Sequence, residues 1–214
     1  MHIQMAGIKT EKDAIDCVKA GVDIIGLLVG QNHTSTDFVS KEKALAIKNC
    51  LPKSVKTTLI THLENAGDII EIERFIGVDY IQLHSYILES EVEKIHNVLP
   101  YVKLLRLVHI NDGKVLNDIS KFKFVDFYFT DSINTKTNQF GGTGLLHDWQ
   151  VDKKLVETLD KPVFIAGGLT PNNVAKAIRF CKPFGVDVNS GCKGDDGFRD
   201  MKKVAQFVKN ANKA

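Results

Sequence analysis

The chain has little of what marks the specialised protein classes. It carries one tryptophan, three methionines and five prolines among 214 residues, and 28 lysines and arginines nearly balance 26 aspartates and glutamates. A net charge of +2, spread without a basic block, offers no electrostatic footprint for nucleic acid or an anionic membrane. The four cysteines, Cys17, Cys50, Cys181 and Cys192, form no CxxC pair and no metal-finger spacing. That leaves free thiols in a reducing compartment as the expectation. The longest apolar run, from Ile24 to Gly30, falls far short of the ~20 residues that span a bilayer. The opening residues, MHIQMAGIKTEKDA, lack the charged and apolar segments of a secretory leader. What remains is the composition of an ordinary globule, 43% hydrophobic and 25% charged, expected in the cytoplasm.

Short apolar runs recur along the chain, each followed by a charged stretch with helical spacing. The spacing predicts strands at 2–7, 23–29, 55–61, 78–83, 102–109, 124–130, 162–166 and 185–189. Thr10, followed by Glu11 and Asp13, reads as a helix start, and Thr170-Pro171 reads as an N-cap with proline at the first helical position. The fifth helix is the weak link, because 114–121 is short and polar. Eight strand–helix units without a linker predict an α/β protein with one (β/α)8 TIM barrel over residues 1–214. An open doubly wound sheet shares the alternation, but no GxGxxG fingerprint accompanies the first unit. Phe122, Phe124, Phe127 and Phe129 straddle the sixth strand and read as core. Trp149 is expected to pack the long loop onto the barrel.

The glycines fall where a barrel does its chemistry. Strand seven ends in Ala166-Gly167-Gly168-Leu169 and strand eight in Asn189-Ser190-Gly191-Cys192. Loops after these two strands form the usual phosphate site of the fold, so Gly167, Gly168, Ser190 and Gly191 are candidate phosphate ligands. The plainer reading is that these glycines only serve tight turns. A third cluster, Gly141-Gly142-Thr143-Gly144, lies in the long irregular stretch 131–148 and reads as a lid over a substrate.

These segments, taken in order, resemble the phosphoribosylanthranilate isomerase family. The resemblance rests on AGIKTEKDA after strand one, Gln82-Leu83-His84 at strand four, and Asp131 followed by GGTG and Asp148-Trp149. It continues through Ala166-Gly167-Gly168-Leu169 with Pro171 and Asn173, Gly185-Val186-Asp187-Val188 with Ser190-Gly191, then Gly197 and Asp200. It implies an Amadori rearrangement of a phosphorylated aminoaldose to the corresponding aminoketose, with no metal and no organic cofactor. It also implies that Asp131 is the acid that protonates the furanose ring oxygen. A turn or capping role is the alternative for that aspartate. Gln4, Asp37, Gln82 and Gly142 are the positions expected to face the rest of the substrate. Helices of such barrels commonly cover a dimer face, so a homodimer is compatible with the sequence, though no residue commits to one.

Four positions depart from the family pattern, and the first, Gln4, removes the charge of a lysine that opens the strand-one motif. The strand-one motif of the family carries a cysteine as general base, where this chain reads Gln4-Met5-Ala6-Gly7. Ala6 marks the position of a missing base. The loop after strand two carries Asp37 where the family has an arginine for the anthranilate carboxylate, and the acidic residue after strand eight is replaced by Lys193. An aspartate facing a carboxylate repels it, which points to a neutral or cationic non-sugar part. A histidine is the expected substitute base, with His84 first and His2, His62 and His109 behind it. Strand-end histidines that merely bond backbone groups are the plainer reading. Two alternatives follow: a non-catalytic barrel that binds a phosphorylated ligand, and a metal-dependent epimerase using His33, His62, His84 and Asp131.

Overall fold

The computed structural model describes residues 1–31, 35–111, 113–134, 139–140 and 149–214. All eight expected strands are present: β1 (His2–Met5), β2 (Ile24–Leu28), β3 (Lys56–Thr61), β4 (Tyr80–Leu83), β5 (Lys103–Asn111), β6 (Phe127–Asn134), β7 (Val163–Ile165) and β8 (Gly185–Val188). Each pairs in parallel with the next. β8 then pairs with β1, with Asp187 opposite Gln4. That closure decides for the barrel and against the open sheet, which would leave two edges unpaired.

Helices α1 (Glu11–Lys19), α2 (Lys41–Asn49), α3 (Ala66–Ile76), α4 (Glu89–Val98), α5 (Trp149–Thr158), α6 (Val174–Cys181) and α7 (Met201–Asn212) lie between and after the strands. Among the described residues, side-chain oxygens start four of them. Thr10, Ser40, Asn65 and Asp200 accept from the amides of Asp13, Lys43, Asp68 and Lys202, satisfying donors that the helix itself cannot. The Thr170-Pro171 start is corrected: α6 begins at Val174, because Pro171–Asn173 make a separate turn and the Asn173 side chain is engaged behind it. None of the helices among the described residues is long and apolar enough to cross a membrane.

A repeated Val-Asp pair sets the strand entrances. Asp23, Asp79 and Asp126 stand just before β2, β4 and β6, and each accepts the backbone amide of the strand before it, from Ile3, Thr57 and Leu104, all at 2.9 Å. The carboxylates thereby satisfy amides at the ends of the ladders, where strand partners run out.

The expected fifth helix does not form. After β5 the chain turns back as a two-residue arm, Lys114–Val115, antiparallel to Ile110 and Asn111, and then makes a single 3-10 turn, Ile119–Lys121. Side chains do the work a helix would do. Asn117 accepts the amide of His109 and donates to the carbonyl of Leu107, at 2.8 and 2.9 Å. Arg106, buried on β5, pairs with Glu89 at 2.9 Å and lies over the Phe122 ring.

The barrel interior changes character along its axis. At the N-terminal end Ile24, Leu105, Leu107, Phe129 and Phe164 make an apolar plug, with Tyr80 and Phe127 against it. Above the plug runs a polar row: Thr58 donates to Gln4 at 2.7 Å, Gln4 to Gln82 at 2.6 Å, and Gln82 to Asp187 at 3.2 Å. Ala6, Leu28 and Ile60 stand beyond it, at the C-terminal end. His2 shares the inward parity of Gln4 and Ala6 but sits at the opposite, N-terminal end, exposed and stacked on Phe184 at 4.6 Å. It is therefore removed from the list of candidate bases.

Candidate active site

A cavity of about 400 Å³ opens at the C-terminal ends of the strands, where barrels of this kind place their chemistry. Ala6, Asp37, His62, His84, Asp131, Gly167, Gly168, Asp187, Asn189, Ser190 and Lys193 all line it. Asp131 reaches it from β6, opposite His109 of β5 in the ladder, and is buried. Its neighbour Thr130 donates to the fully buried Asp152 of α5 at 2.6 Å, which ties this stretch of β6 to the helix behind it.

The two glycine loops come together as expected, though their residues divide the labour. Gly167 and Gly168 have φ of 84° and 64°, a left-handed conformation that side chains rarely adopt, and both line the cavity. Asn173 holds that turn, accepting from the Thr170 amide at 2.7 Å and donating to the Gly168 carbonyl at 2.9 Å. Ser190 lines the cavity from the other side. Gly191 does not line it: a Cβ there would collide with the Leu169 carbonyl. Its lack of a side chain lets the two loops touch.

Gln4 and Gln82 likewise do not line the cavity. Both are buried in the polar row beneath it, bonded to each other and to Thr58 and Asp187, so they hold the floor. Gly142 and the GGTG lid lie outside the described residues, as do Asp148 and His33.

Asp37 does not present a bare negative charge. Lys193 Nζ donates to both of its carboxylate oxygens at 2.5 Å, and Asn189 donates to one of them at 2.9 Å. Burial works to raise its pKa, but Lys193, Asn189 and the Arg199 charge together hold it below the usual carboxylate range. The sequence-based argument that Asp37 must repel an anionic substrate is thereby corrected, since its charge is already matched.

The histidines divide as well. His84 and His62 stack 5.0 Å apart on the cavity wall, and His84 also packs on Phe129. His109 is fully buried between the Asn117 amide at 3.0 Å and the His84 carbonyl at 3.3 Å, an arrangement that fixes the neutral tautomer with its proton on Nε2. Burial pushes its pKa down to about 4, with the hydrogen bond to the His84 carbonyl opposing. Among the described residues no three His, Cys, Asp or Glu side chains gather with metal-holding geometry.

All four cysteines are free, and burial pushes Cys17, Cys181 and Cys192 up to about 12, so none of those three supplies a thiolate near neutrality. Two residues to which the sequence reading gave no role stand at the site. Arg199 bolts the ends of β1 and β8 together, donating to the carbonyls of Ala6, Gly7 and Asn189 at 2.6, 2.9 and 2.5 Å. Asp187 projects from β8 to the cavity floor. Its Val186-Asp187 pair looks in sequence like the three entrance pairs, and only its register opposite Gln4 places it inside.

Comparison with known proteins agrees with this geometry. The family model described as N-(5'-phosphoribosyl)anthranilate (PRA) isomerase matches residues 3–210. The N-(5'-phosphoribosyl)anthranilate isomerase 2 of Methanosarcina mazei is 37% identical over 99% of this chain and 94% of its own length. The corresponding isomerase of Halorubrum lacusprofundi is 33% identical over 99% and 97%. Among solved structures, the isomerase of Thermotoga maritima superposes over the whole of both chains with a TM-score of 0.87 at 24% identity. Another, solved with reduced 1-(o-carboxyphenylamino)-1-deoxyribulose 5-phosphate, does so with a TM-score of 0.84 at 22%. With the family model covering nearly every residue and the barrel matching end to end, this chain belongs to the N-(5'-phosphoribosyl)anthranilate isomerase family.

Proposed function

We propose that this chain converts N-(5'-phosphoribosyl)anthranilate into 1-(o-carboxyphenylamino)-1-deoxyribulose 5-phosphate, as an isomerase of tryptophan biosynthesis. The observation that carries the reading is one cavity in which Asp131 faces the paired loops Gly167-Gly168 and Ser190. In this reading the loops take the phosphate through backbone amides, which places the ribose over the cavity floor. Asp131 then protonates the ring oxygen and the C1–O bond opens to an iminium ion. Lys193, released in part from Asp37, meets the anthranilate carboxylate, the task an arginine performs from the other side in the family pattern.

Ala6 favours a second reading, a barrel that binds a phosphorylated ligand without turning it over, because a methyl group on the cavity wall takes no proton. Genetic complementation separates the two. A bacterial strain lacking its own isomerase should grow without tryptophan when it expresses this chain. No growth despite soluble expression would favour the binder.

A further inference from the structure

Opening the ring is only half of an aldose-to-ketose isomerisation; a proton must also leave sugar C2, and the floor of the cavity bears on that step. Asp187 lines the cavity and is 7% exposed. Its Oδ2 accepts from Gln82 at 3.2 Å, while Oδ1 is buried with no hydrogen-bond partner among the described residues. An unpartnered carboxylate oxygen in such a place is unfavourable for the fold alone, since the great majority of buried polar atoms in folded proteins are hydrogen-bonded. Asp187 also stands where a base is wanted. The backbone of Ala6 bonds to the next residue of β8, its amide donating to the Val188 carbonyl at 3.0 Å, and Ser190 of the phosphate loop follows three positions on.

From this geometry we infer that the Asp187 carboxylate is the general base that removes the C2 proton, from the strand next to the one that carries Ala6. The inference rests on the isomerase reading. In the step, the C2–H electron pair becomes the C1=C2 bond and the C1=N pair returns to nitrogen, so the iminium ion becomes a neutral enolamine and Asp187 holds the proton. Tautomerisation of the enol then moves its proton off oxygen and adds one to C1, giving the C2 ketone. Asp187 loses its proton and Asp131 regains one, with no external oxidant or reductant.

The environment suits the task. Burial raises the Asp187 pKa to about 6, with the amides of Gln82 and Gln4 and the Arg199 charge pulling the other way. The carboxylate is thus mostly ionised at neutral pH and more basic than an exposed one, which is what proton abstraction asks of it. Arg199 is the charged group that faces it, held by the backbone carbonyls of Ala6 and Asn189, just past β1 and β8. Gln4 and Gln82 face it uncharged from β1 and β4. His84 lies on β4's end, on the other wall, packed on His62 and Phe129.

The test uses freshly generated N-(5'-phosphoribosyl)anthranilate with wild type, Asp187→Asn, and Ala6→Cys/Asp187→Asn. We expect Asp187→Asn to lower kcat by ~100-fold or more while affinity for the reduced product analogue stays within about threefold of wild type. The acid limb of the wild-type kcat profile should disappear in the variant, and Ala6→Cys should restore at least about tenfold of the loss by returning a base to β1. Asp187→Asn within about threefold of wild-type kcat would overturn the inference and leave the isomerase reading intact. Loss of analogue binding together with kcat, without rescue by Ala6→Cys, would also overturn it by assigning Asp187 a structural role. Wild type without turnover would overturn the isomerase reading itself.

Discussion

Lys193 and Asp37, 156 positions apart in the chain, meet across the cavity with Nζ 2.5 Å from both carboxylate oxygens. The family pattern places an arginine at the first position in sequence and an acid at the second; here the two signs are exchanged. The cavity keeps both charges, so a carboxylate-bearing substrate still finds a cation.

That exchange predicts which side chain controls affinity. Asp37→Asn/Lys193→Met removes the pair without stranding a buried charge. KM for N-(5'-phosphoribosyl)anthranilate should rise by roughly 10–100-fold, the worth of a charge-assisted hydrogen bond, with kcat little changed. Steady-state kinetics check this, and an unaltered KM would place the substrate carboxylate elsewhere.

Asp131→Asn should behave differently. It leaves an acceptor in place but removes the acid, so kcat should fall by about 10²–10⁴-fold. Calorimetric titration with the reduced product analogue should show binding close to that of wild type. Retained turnover would reduce Asp131 to a turn residue.

Asp187 should also be visible in stability. Its pKa in the fold, about 6, lies above the 3.8 of an ordinary aspartate, so burial favours the protonated form. The stability this group supports is complete below pH 3.8 and is lost as pH rises through 6. Asp187→Asn retains an acceptor for Gln82 and removes that penalty. Denaturation at pH 7.5 should find the variant more stable by up to ~3 kcal/mol, from two units at 1.36 each, with the gap closing near pH 4. A gap of equal size at both pH values would contradict the assignment.

Gly191→Ala tests the contact between the two glycine loops and their proposed hold on a phosphate. The new methyl must displace the Leu169 carbonyl, which moves the Gly167-Gly168 turn away from Ser190. Inorganic phosphate, used as a competitive inhibitor, should bind about tenfold or more weakly, since a small misplacement disturbs several amide contacts at once. Unchanged inhibition would mean that the two loops act independently.

The strands were legible because buried parallel strands read as short apolar runs, and eight of them left a barrel as the compact solution. The fifth helix was not, because Glu89, Arg106 and Asn117 replace it with side-chain bonds that have no periodic signature. The cavity loops stood out by their glycines, yet the difference between Gly168, which lines the cavity, and Gly191, which joins two loops, is a matter of tertiary contact. Asp37 looked repulsive only while Lys193 was out of sight, since sequence does not show which side chains meet after closure. Asp187's role was hidden by likeness: three other Val-Asp pairs sit at strand entrances, and only its place within β8, opposite Gln4, separates it from those structural carboxylates.

The most direct test is the rate at which the wild-type chain consumes freshly generated N-(5'-phosphoribosyl)anthranilate, followed by the loss of its fluorescence. Turnover well above the spontaneous rate, rising with pH through about 6, is the predicted result, and it would show that a cavity carrying Ala6 still has a working base. A rate indistinguishable from the uncatalysed one, in protein that binds the reduced product analogue, would contradict the account and leave a binding barrel in its place.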